Sequence, residues 1–345
     1  MTDTGPSLDA DNGRPARTLA ELARLAGVST GTVSRALAGK SNVNPATRDK
    51  IAALAREHGF RLNQVASNLR RQRTGTIGIA IPLGHDRRQQ ISDAFFMTLL
   101  GHLADALTEK GYDLMLRRVI PDRDGDWLDR FIGSGMVDGV IVIGQSDQFA
   151  RIEEVADGYR PMVVWGHHQE GQRHCVVGSD NRLGGKLAAE RLIARGARRL
   201  AFLGDRSATE FAARFAGAAE MAEAHRATLE PFATHLAADR MIVEIRAHLQ
   251  AMSGQFDGIF AATDMLAVAC LGALRQRGIR VPEEMAVVGF DDLPLAQHTA
   301  PPLTTVRQDI KAGAWAMVDL LLRRLAGSDT ESLVMPPQLV VRESA

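Results

Sequence analysis

The sequence predicts an α/β chain in two parts: a small N-terminal three-helix domain, then a larger core of parallel sheets in two lobes. Three observations predict it. Two short amphipathic stretches joined by a tight turn lie at 18–37. From residue 76 onward, short β-rich runs alternate with longer amphipathic stretches. The chain has 345 residues, 45% of them hydrophobic, enough for one small and one large core.

Residues 1–17 are polar, with Gly-Pro and Asp, and are expected to form a disordered arm. The first helix begins at Thr18, whose hydroxyl can accept a first-turn amide, with Glu21 at capping-box spacing. Leu19, Leu22, Ala23 and Ala26 make its apolar face, and Gly27 suits a left-handed end. Ser29 then caps a second helix. Val33, Ala36 and Leu37 face inward, while Thr30, Gly31, Ser34 and Arg35 point outward. A third helix starts at Asn44-Pro45, carries Ile51, Leu54 and Ala55 inward, and ends at Gly59.

This is how a helix-turn-helix presents a probe to the DNA major groove; a generic helical hairpin is the bland alternative. Charge favours DNA. Residues 18–73 hold ten Lys or Arg against three acids, whereas the whole chain holds 41 of each. Positive charge gathered at one end of a neutral chain marks a phosphate-facing surface. Residues 63–70 could form a brief helix capped by Asn63, with Val65 and Leu69 on one side. Eight residues do not sustain a helix alone in water, so this segment needs DNA or a second copy; a basic flexible linker is the other reading.

Candidate strands in the core are Ile77–Ile81, Tyr112–Leu116, Gly139–Ile143, Met162–Trp165, Cys175–Gly178, Leu200–Leu203, Gly258–Ala261, Ala286–Phe290 and Leu303–Val306. Candidate helices include Phe95–Lys110, Asp126–Gly133, Arg182–Arg195, Thr209–His225, Arg240–Met252, Asp264–Gln276 and Ile310–Leu325. Such alternation implies parallel sheets with right-handed crossovers and clefts at strand carboxyl ends. About nine strands suit two lobes better than one.

Several functions find no support. No apolar run is long enough to span a membrane, and the N-terminus lacks a signal core, so a cytoplasmic chain with no membrane partner is expected. Cys175 and Cys270 are too few for a disulfide framework. The glycine-rich 133–139 has the wrong spacing for phosphate and follows a helix. His167, His168, His174 and Cys175 lack the paired spacing of a structural zinc site. No catalytic constellation can be assigned, so neither an enzyme nor a cofactor or metal is expected.

Together these residues resemble the LacI/GalR family of bacterial transcription regulators over about 18–342. The most specific matches are the stretch 18–37, Asn-Pro-Ala-Thr-Arg at 44–48 and Asn-Gln-Val-Ala-Ser-Asn-Leu at 63–69. Thr-Gly-Thr-Ile-Gly-Ile at 74–79, Ser-Asp-Asn at 179–181, Val-Val-Gly-Phe-Asp-Asp at 287–292 and Pro-Pro-Leu-Thr-Thr-Val-Arg-Gln-Asp at 301–309 add to them. The resemblance implies a DNA-binding headpiece at 18–62, a hinge helix and linker at 63–74, and a periplasmic-binding-protein-like (type I) core at 75–345. Within the core it implies lobe 1 at about 75–177 and 308–327, and lobe 2 at about 178–307 and 328–345. It also implies a homodimer on a pseudo-palindromic operator, with a small-molecule effector that changes DNA affinity.

Residue by residue, the resemblance assigns base reading to Thr30, Gly31 and Arg35. It assigns backbone contacts to Ser29, Thr32, Ser34, Asn42 and Thr47, and hinge or minor-groove contacts to Asn63, Val65, Ala66 and Leu69. Gly31 has no side chain, which shifts readout to Thr30, Arg35 and DNA shape. Leu69 matches an apolar wedge that unstacks a base step. The implied effector contacts are Phe95, Phe96, Trp165, Glu210, Arg214, Asp264, Asp291 and Gln308. Gly166 stands where relatives often carry an aspartate, so Trp165 or His167 is expected to substitute. Thr263 stands where many carry asparagine. These departures leave the effector's identity open. The leading expectation is a repressor of carbohydrate-utilisation genes released by a sugar. A purine-type corepressor, or a cytosolic sugar-binding protein, is the alternative.

Overall fold

The computed structural model describes residues 18–37, 42–60, 73–83, 90–120, 125–145, 148–252 and 254–345. The chain divides into two compact units, which meet in sequence at Thr74 and Gly75. The expected arm at 1–17 and the hinge residues Asn63, Val65, Ala66 and Leu69 lie outside the described residues.

The first unit contains α1 (Leu19–Ala26), α2 (Thr30–Leu37) and α3 (Pro45–Glu57). The α1 start is a complete capping box: Glu21 N–H donates to the Thr18 hydroxyl, and Thr18 N–H to the Glu21 carboxylate, both at 3.2 Å. Gly27 ends α1 at φ 72°, the left-handed turn that a β-carbon would strain. Leu22, Val33 and Ile51, one from each helix, are wholly buried and form the small core with alanines around them. Lys50 ties α3 to the end of α1 through the Ala26 carbonyl at 3.1 Å.

The second unit is built on two six-stranded sheets. The first contains β1 (Thr76–Pro82), β2 (Asp113–Val119), β3 (Gly139–Ile143), β4 (Met162–Trp165), β5 (Cys175–Ser179) and β11 (Leu333–Met335), in the order β2–β1–β3–β4–β5–β11. All its pairings are parallel. The second contains β6 (Arg199–Leu203), β7 (Thr228–Phe232), β8 (Gly258–Ala261), β9 (Ala286–Asp291), β10 (Thr304–Arg307) and β12 (Gln338–Val340), in the order β7–β6–β8–β9–β10–β12. Only β12 runs antiparallel to its neighbour. The central strands β3, β4, β8 and β9 are buried throughout, as expected of parallel strands covered on both faces.

Helices cover both sheets: α4 (Ala94–Glu109), α5 (Trp127–Ile132), α6 (Phe149–Ala156) and α11 (Ile310–Leu325) lie on the first lobe, and α7 (Asn181–Ala194), α8 (Thr209–Ala224), α9 (Ala238–Ala251) and α10 (Asp264–Gln276) on the second. The chain passes between lobes three times: at Asp180, at Gln308–Asp309 and at Pro336–Pro337. One expected boundary is corrected here. Residues 328–345 do not belong wholly to the second lobe, because Leu333–Met335 pairs with β5 in the first sheet before crossing. Three strands lie outside the expected set: the edge strand β7 and the three-residue β11 and β12.

Candidate functional site

In the first unit, α2 presents a compact polar surface. Ser29 caps it: its hydroxyl accepts Thr32 N–H at 3.2 Å and lies 2.9 Å from the Thr32 hydroxyl. Arg35 reaches back along the helix, with Nη2 donating to the Thr32 hydroxyl at 3.4 Å. Its guanidinium lies over Gly31, where a β-carbon would sit only 3.3 Å from Arg35 Nη1. The bare glycine therefore makes room for the arginine head. Thr30 and Asn42 are exposed, and Ser34 and Thr47 are half-exposed. The headpiece residues expected to contact DNA thus stay accessible, while Val33 and Ala36 hold the helix from behind.

In the second unit, both sheets run in the 2-1-3-4-5 sense over their first five strands, an order that places ligand crevices at strand carboxyl ends. A cleft of about 980 Å³, open solvent at its mouth included, lies there between the lobes. Ile143 and Trp165 enter it from the neighbouring ends of β3 and β4. Phe95 and Phe96 follow the Asp93 cap of α4, where Asp93 Oδ1 accepts Phe95 N–H at 2.9 Å. Phe95 packs its ring 5.9 Å from both Phe96 and Trp165, centroid to centroid. One wall of the cleft is therefore aromatic. Gly313 of α11 makes room for it: a β-carbon there would collide with the Trp165 indole.

The facing wall is acidic. Asp291 closes β9 at φ 119°, a strained angle for a non-glycine residue, and its Oδ1 accepts Gln308 Nε2 at 2.6 Å. Burial pushes the Asp291 carboxyl up to about 7; Arg214 and Gln308 pull it down, and Asp93 across the cleft pushes it further up. Glu210 of α8 accepts the His167 N–H at 3.2 Å, a hydrogen bond from one lobe to the other. Of the eight expected effector contacts, the cleft gathers six: Phe95, Phe96, Trp165, Glu210, Asp291 and Gln308.

The other two, Asp264 and Arg214, are not among the residues lining it. Asp264 is wholly buried: its Oδ1 accepts the Thr305 hydroxyl at 2.5 Å and its Oδ2 accepts Leu293 N–H at 2.8 Å. It is a brace between α10 and the second sheet, and Thr263 beside it lines the cleft instead. Arg214 is nearly buried, with two of its three guanidinium nitrogens engaged by protein. Nε donates to Asn181 Oδ1 at 2.8 Å, Nη1 to the Ala262 carbonyl at 2.5 Å, and the guanidinium stacks 3.6 Å over the Phe290 ring. Its charge faces Asp291 without a direct ion pair.

Gly166 has a local reason. A β-carbon there would crowd the buried Gln145 amide, whose Nε2 donates to the His167 carbonyl and whose Oε1 lies 3.0 Å from His174 Nε2. Of the two expected substitutes, Trp165 lines the cleft, whereas His167 contributes its backbone to the interlobe bond. His174 is held by Glu153 and Gln145. Burial would raise the Glu153 carboxyl, but hydrogen bonds from His174 and Arg173 hold it at about 2. Among the described residues, no group of three or more His, Cys, Asp or Glu is placed to hold a metal ion. No described helix is long and apolar enough to cross a membrane.

Sequence reasoning missed Asp93, Asp205, Ser207, Thr234 and His235, all of which line the cleft. Asp205 and Ser207 follow β6; Thr234 and His235 follow β7. The signal that could have found the first pair is position, since residues just past a parallel strand face the crevice. The second pair was hidden with its strand.

Residues 18–63 match the family described as bacterial regulatory proteins, lacI family, and residues 189–345 match the periplasmic binding protein-like domain. The HTH-type transcriptional regulator CelR of Thermobifida fusca is 31% identical over 341 residues, covering 95% of this chain and 98% of that protein. Among solved structures, a transcriptional regulator CelR–cellobiose complex aligns with TM-score 0.68 and 30% identity, covering 95% of this chain and 99% of the other. The Lac repressor dimer bound to operator and the anti-inducer ONPF shares the fold, with TM-score 0.82 and 24% identity over 95% and 98% of the two chains. Helix-turn-helix, two-lobed core and full-length relative agree, and the chain belongs to the lacI family of bacterial regulatory proteins.

Proposed function

We propose that the protein is a repressor of carbohydrate-utilisation genes, acting as a homodimer, whose hold on its operator weakens when a saccharide fills the interlobe cleft. The observation that carries this reading is the cleft itself. An aromatic wall of Phe95, Phe96 and Trp165 faces carboxylates and an amide at Glu210, Asp291 and Gln308. Aromatic faces suit the C–H surface of a sugar ring, and carboxylates accept its hydroxyls. The likeness to a regulator solved with cellobiose supports the same class of ligand.

On the DNA side, Thr30 and Arg35 read base edges across the bare Gly31. Ser29, Thr32, Ser34, Asn42 and Thr47 clamp phosphates. Leu69 wedges the minor groove, and Asn63, Val65 and Ala66 build the paired hinge. In the cleft, Asp291 and Glu210 take hydroxyls, Gln308 orients Asp291, Arg214 offers its remaining guanidinium nitrogen to the ligand, and Asp264 braces the wall from behind. The protein works in the cytoplasm, and no catalytic step is part of this reading.

Fluorescence anisotropy with a palindromic operator tests it. Arg35→Ala and Leu69→Ala should each weaken specific binding, and a bound saccharide should weaken it in the parent protein. Unchanged affinity in both variants would overturn the probe-and-hinge reading. A saccharide that binds without changing operator affinity would overturn the repressor-release reading.

A further inference from the structure

One polar ring in the cleft has its orientation fixed from behind. His235 follows β7 and lines the cleft between Thr234 and Leu236. Its side chain is 27% exposed. A single carboxylate holds it twice: Glu244 of α9 accepts the His235 backbone N–H at 2.8 Å and faces ring Nδ1 at 2.9 Å. Two attachments to one carboxylate fix the turn of the ring about both of its side-chain torsions. Arg240, one helical turn before Glu244, donates to the same carboxylate at 3.0 Å. Burial would raise the Glu244 carboxyl, but hydrogen bonds from His235 and the neighbouring charges hold it below its usual range.

An ionised carboxylate on Nδ1 keeps the ring proton on that nitrogen, and Nε2 of the neutral ring then carries a lone pair. Arg240 already balances the carboxylate's charge. Among the described residues no donor takes His235 Nε2. The buried His174 is the contrast. Both of its ring nitrogens are engaged, Nδ1 by Glu153 and Nε2 by Gln145, so that ring is a brace at both ends. His235 is anchored at one end and open at the other. Water satisfies a lone pair in an open cleft, but a ligand that displaces the water must supply a donor or leave the nitrogen unsatisfied. A saccharide meets that demand with a hydroxyl. A site built to bond a hydroxyl rejects the analogue lacking it far more strongly than an apolar surface does.

We propose that His235 is a specificity-determining residue of the cleft: its Nε2 accepts a hydrogen bond from one hydroxyl of the bound saccharide, and Glu244 is the positioning residue that sets the ring and its tautomer. This inference rests on the saccharide reading above and goes beyond it in naming the atom that reads one hydroxyl.

Isothermal titration of the full chain tests it. Glucose, maltose, lactose and cellobiose are titrated first. The tightest binder is then replaced by its monodeoxy and monodeoxyfluoro forms, one hydroxyl at a time. At one position both forms should bind roughly tenfold or more weaker than the parent sugar, since fluorine keeps an acceptor but brings no donor. His235→Phe should cancel the penalty at that position and leave the penalties elsewhere. His235→Gln, whose amide oxygen keeps an acceptor, should retain part of it. Glu244→Gln should shrink the same penalty alone, because its amide offers one oxygen where two are used; a merely structural role would lower all affinities alike. If His235→Phe binds no sugar at all, the two glutamine variants decide by the same selective loss. Absence of such a position, or a penalty unchanged in the variants, overturns the inference while leaving the saccharide reading standing. A fluoro form that binds as well as the parent sugar at the His235-dependent position overturns the acceptor role. If none of the four sugars binds or alters operator affinity, the saccharide reading falls and takes this inference with it.

Discussion

Gly31 and Arg35 form one unit. The glycine is where the arginine rests, with the Thr32 hydroxyl as its anchor. A β-carbon at residue 31 would press on the flexible end of Arg35, not on backbone. Gly31→Ala should therefore leave the melting temperature of the headpiece nearly unchanged and alter base preference, read by binding to a randomised operator library. Arg35→Ala should cost about 1–3 kcal/mol of discrimination at one base pair. Asp291 makes a different residue-scale prediction. Its folded pKa of about 7 lies above the unfolded value of about 3.9, so its protonated form favours folding. That contribution is complete below about pH 4 and is lost as pH rises through 7. Asp291→Asn should therefore raise Tm at pH 8, by about 2–4 °C for each kcal/mol of relief, with the gain vanishing near pH 4. A gain of equal size at both pH values would contradict this account. At this scale the sequence was informative about identity but not orientation. Asp291 and Asp264 were both singled out, yet only the first lines the cleft; periodicity does not tell which side of a wall a buried side chain faces.

Helices α7 and α8 pack backbone against backbone. A β-carbon at Gly185 would collide with the Arg214 carbonyl, and one at Gly217 with the Arg182 carbonyl. Two glycines thus let the helix backbones touch, and the contact fixes the turn from which Arg214 reaches Asn181. Backbone cannot yield as a side chain end does. Gly185→Ala should destabilise the second unit by about 1–3 kcal/mol or more and weaken saccharide binding with it, measurable by chemical denaturation and titration. Native stability in that variant would show that the helices can part. Long elements were legible because their patterns are strong: α10 and α11 match their expected spans residue for residue. Strand β7 was not, because Thr228, Glu230 and Pro231 face solvent at a sheet edge, where no apolar alternation is required. With β7 went His235 and Thr234. Strands β11 and β12 have three residues each, too short to carry a period.

At the scale of the molecule, this transcriptional regulator joins a three-helix headpiece to a two-lobed sensor within one chain. Ligand-dependent operator binding requires that the lobes have two arrangements of different DNA affinity. The coupling should be typically 1–3 kcal/mol, or roughly 5–150-fold in operator affinity between empty and filled cleft. By reciprocity, operator DNA must change saccharide affinity by the same factor, and titrating saccharide with and without operator checks it. A coupling seen in one direction only would rule out the allosteric account. The three interlobe crossings bear on how such a change could be driven. Asp180 N–H donates to the Met335 carbonyl at 2.9 Å, so the first and third crossings run side by side. The second contains Gln308, which is also a cleft residue and holds Asp291. Parallel tethers resist sliding and twisting more than they resist folding about a common line, as the leaves of a book turn on their spine. The spine of this book carries a sensing group: a tug on Gln308 acts at the axle itself, where a small torsion is geared up into a wide swing at the far edges of the leaves.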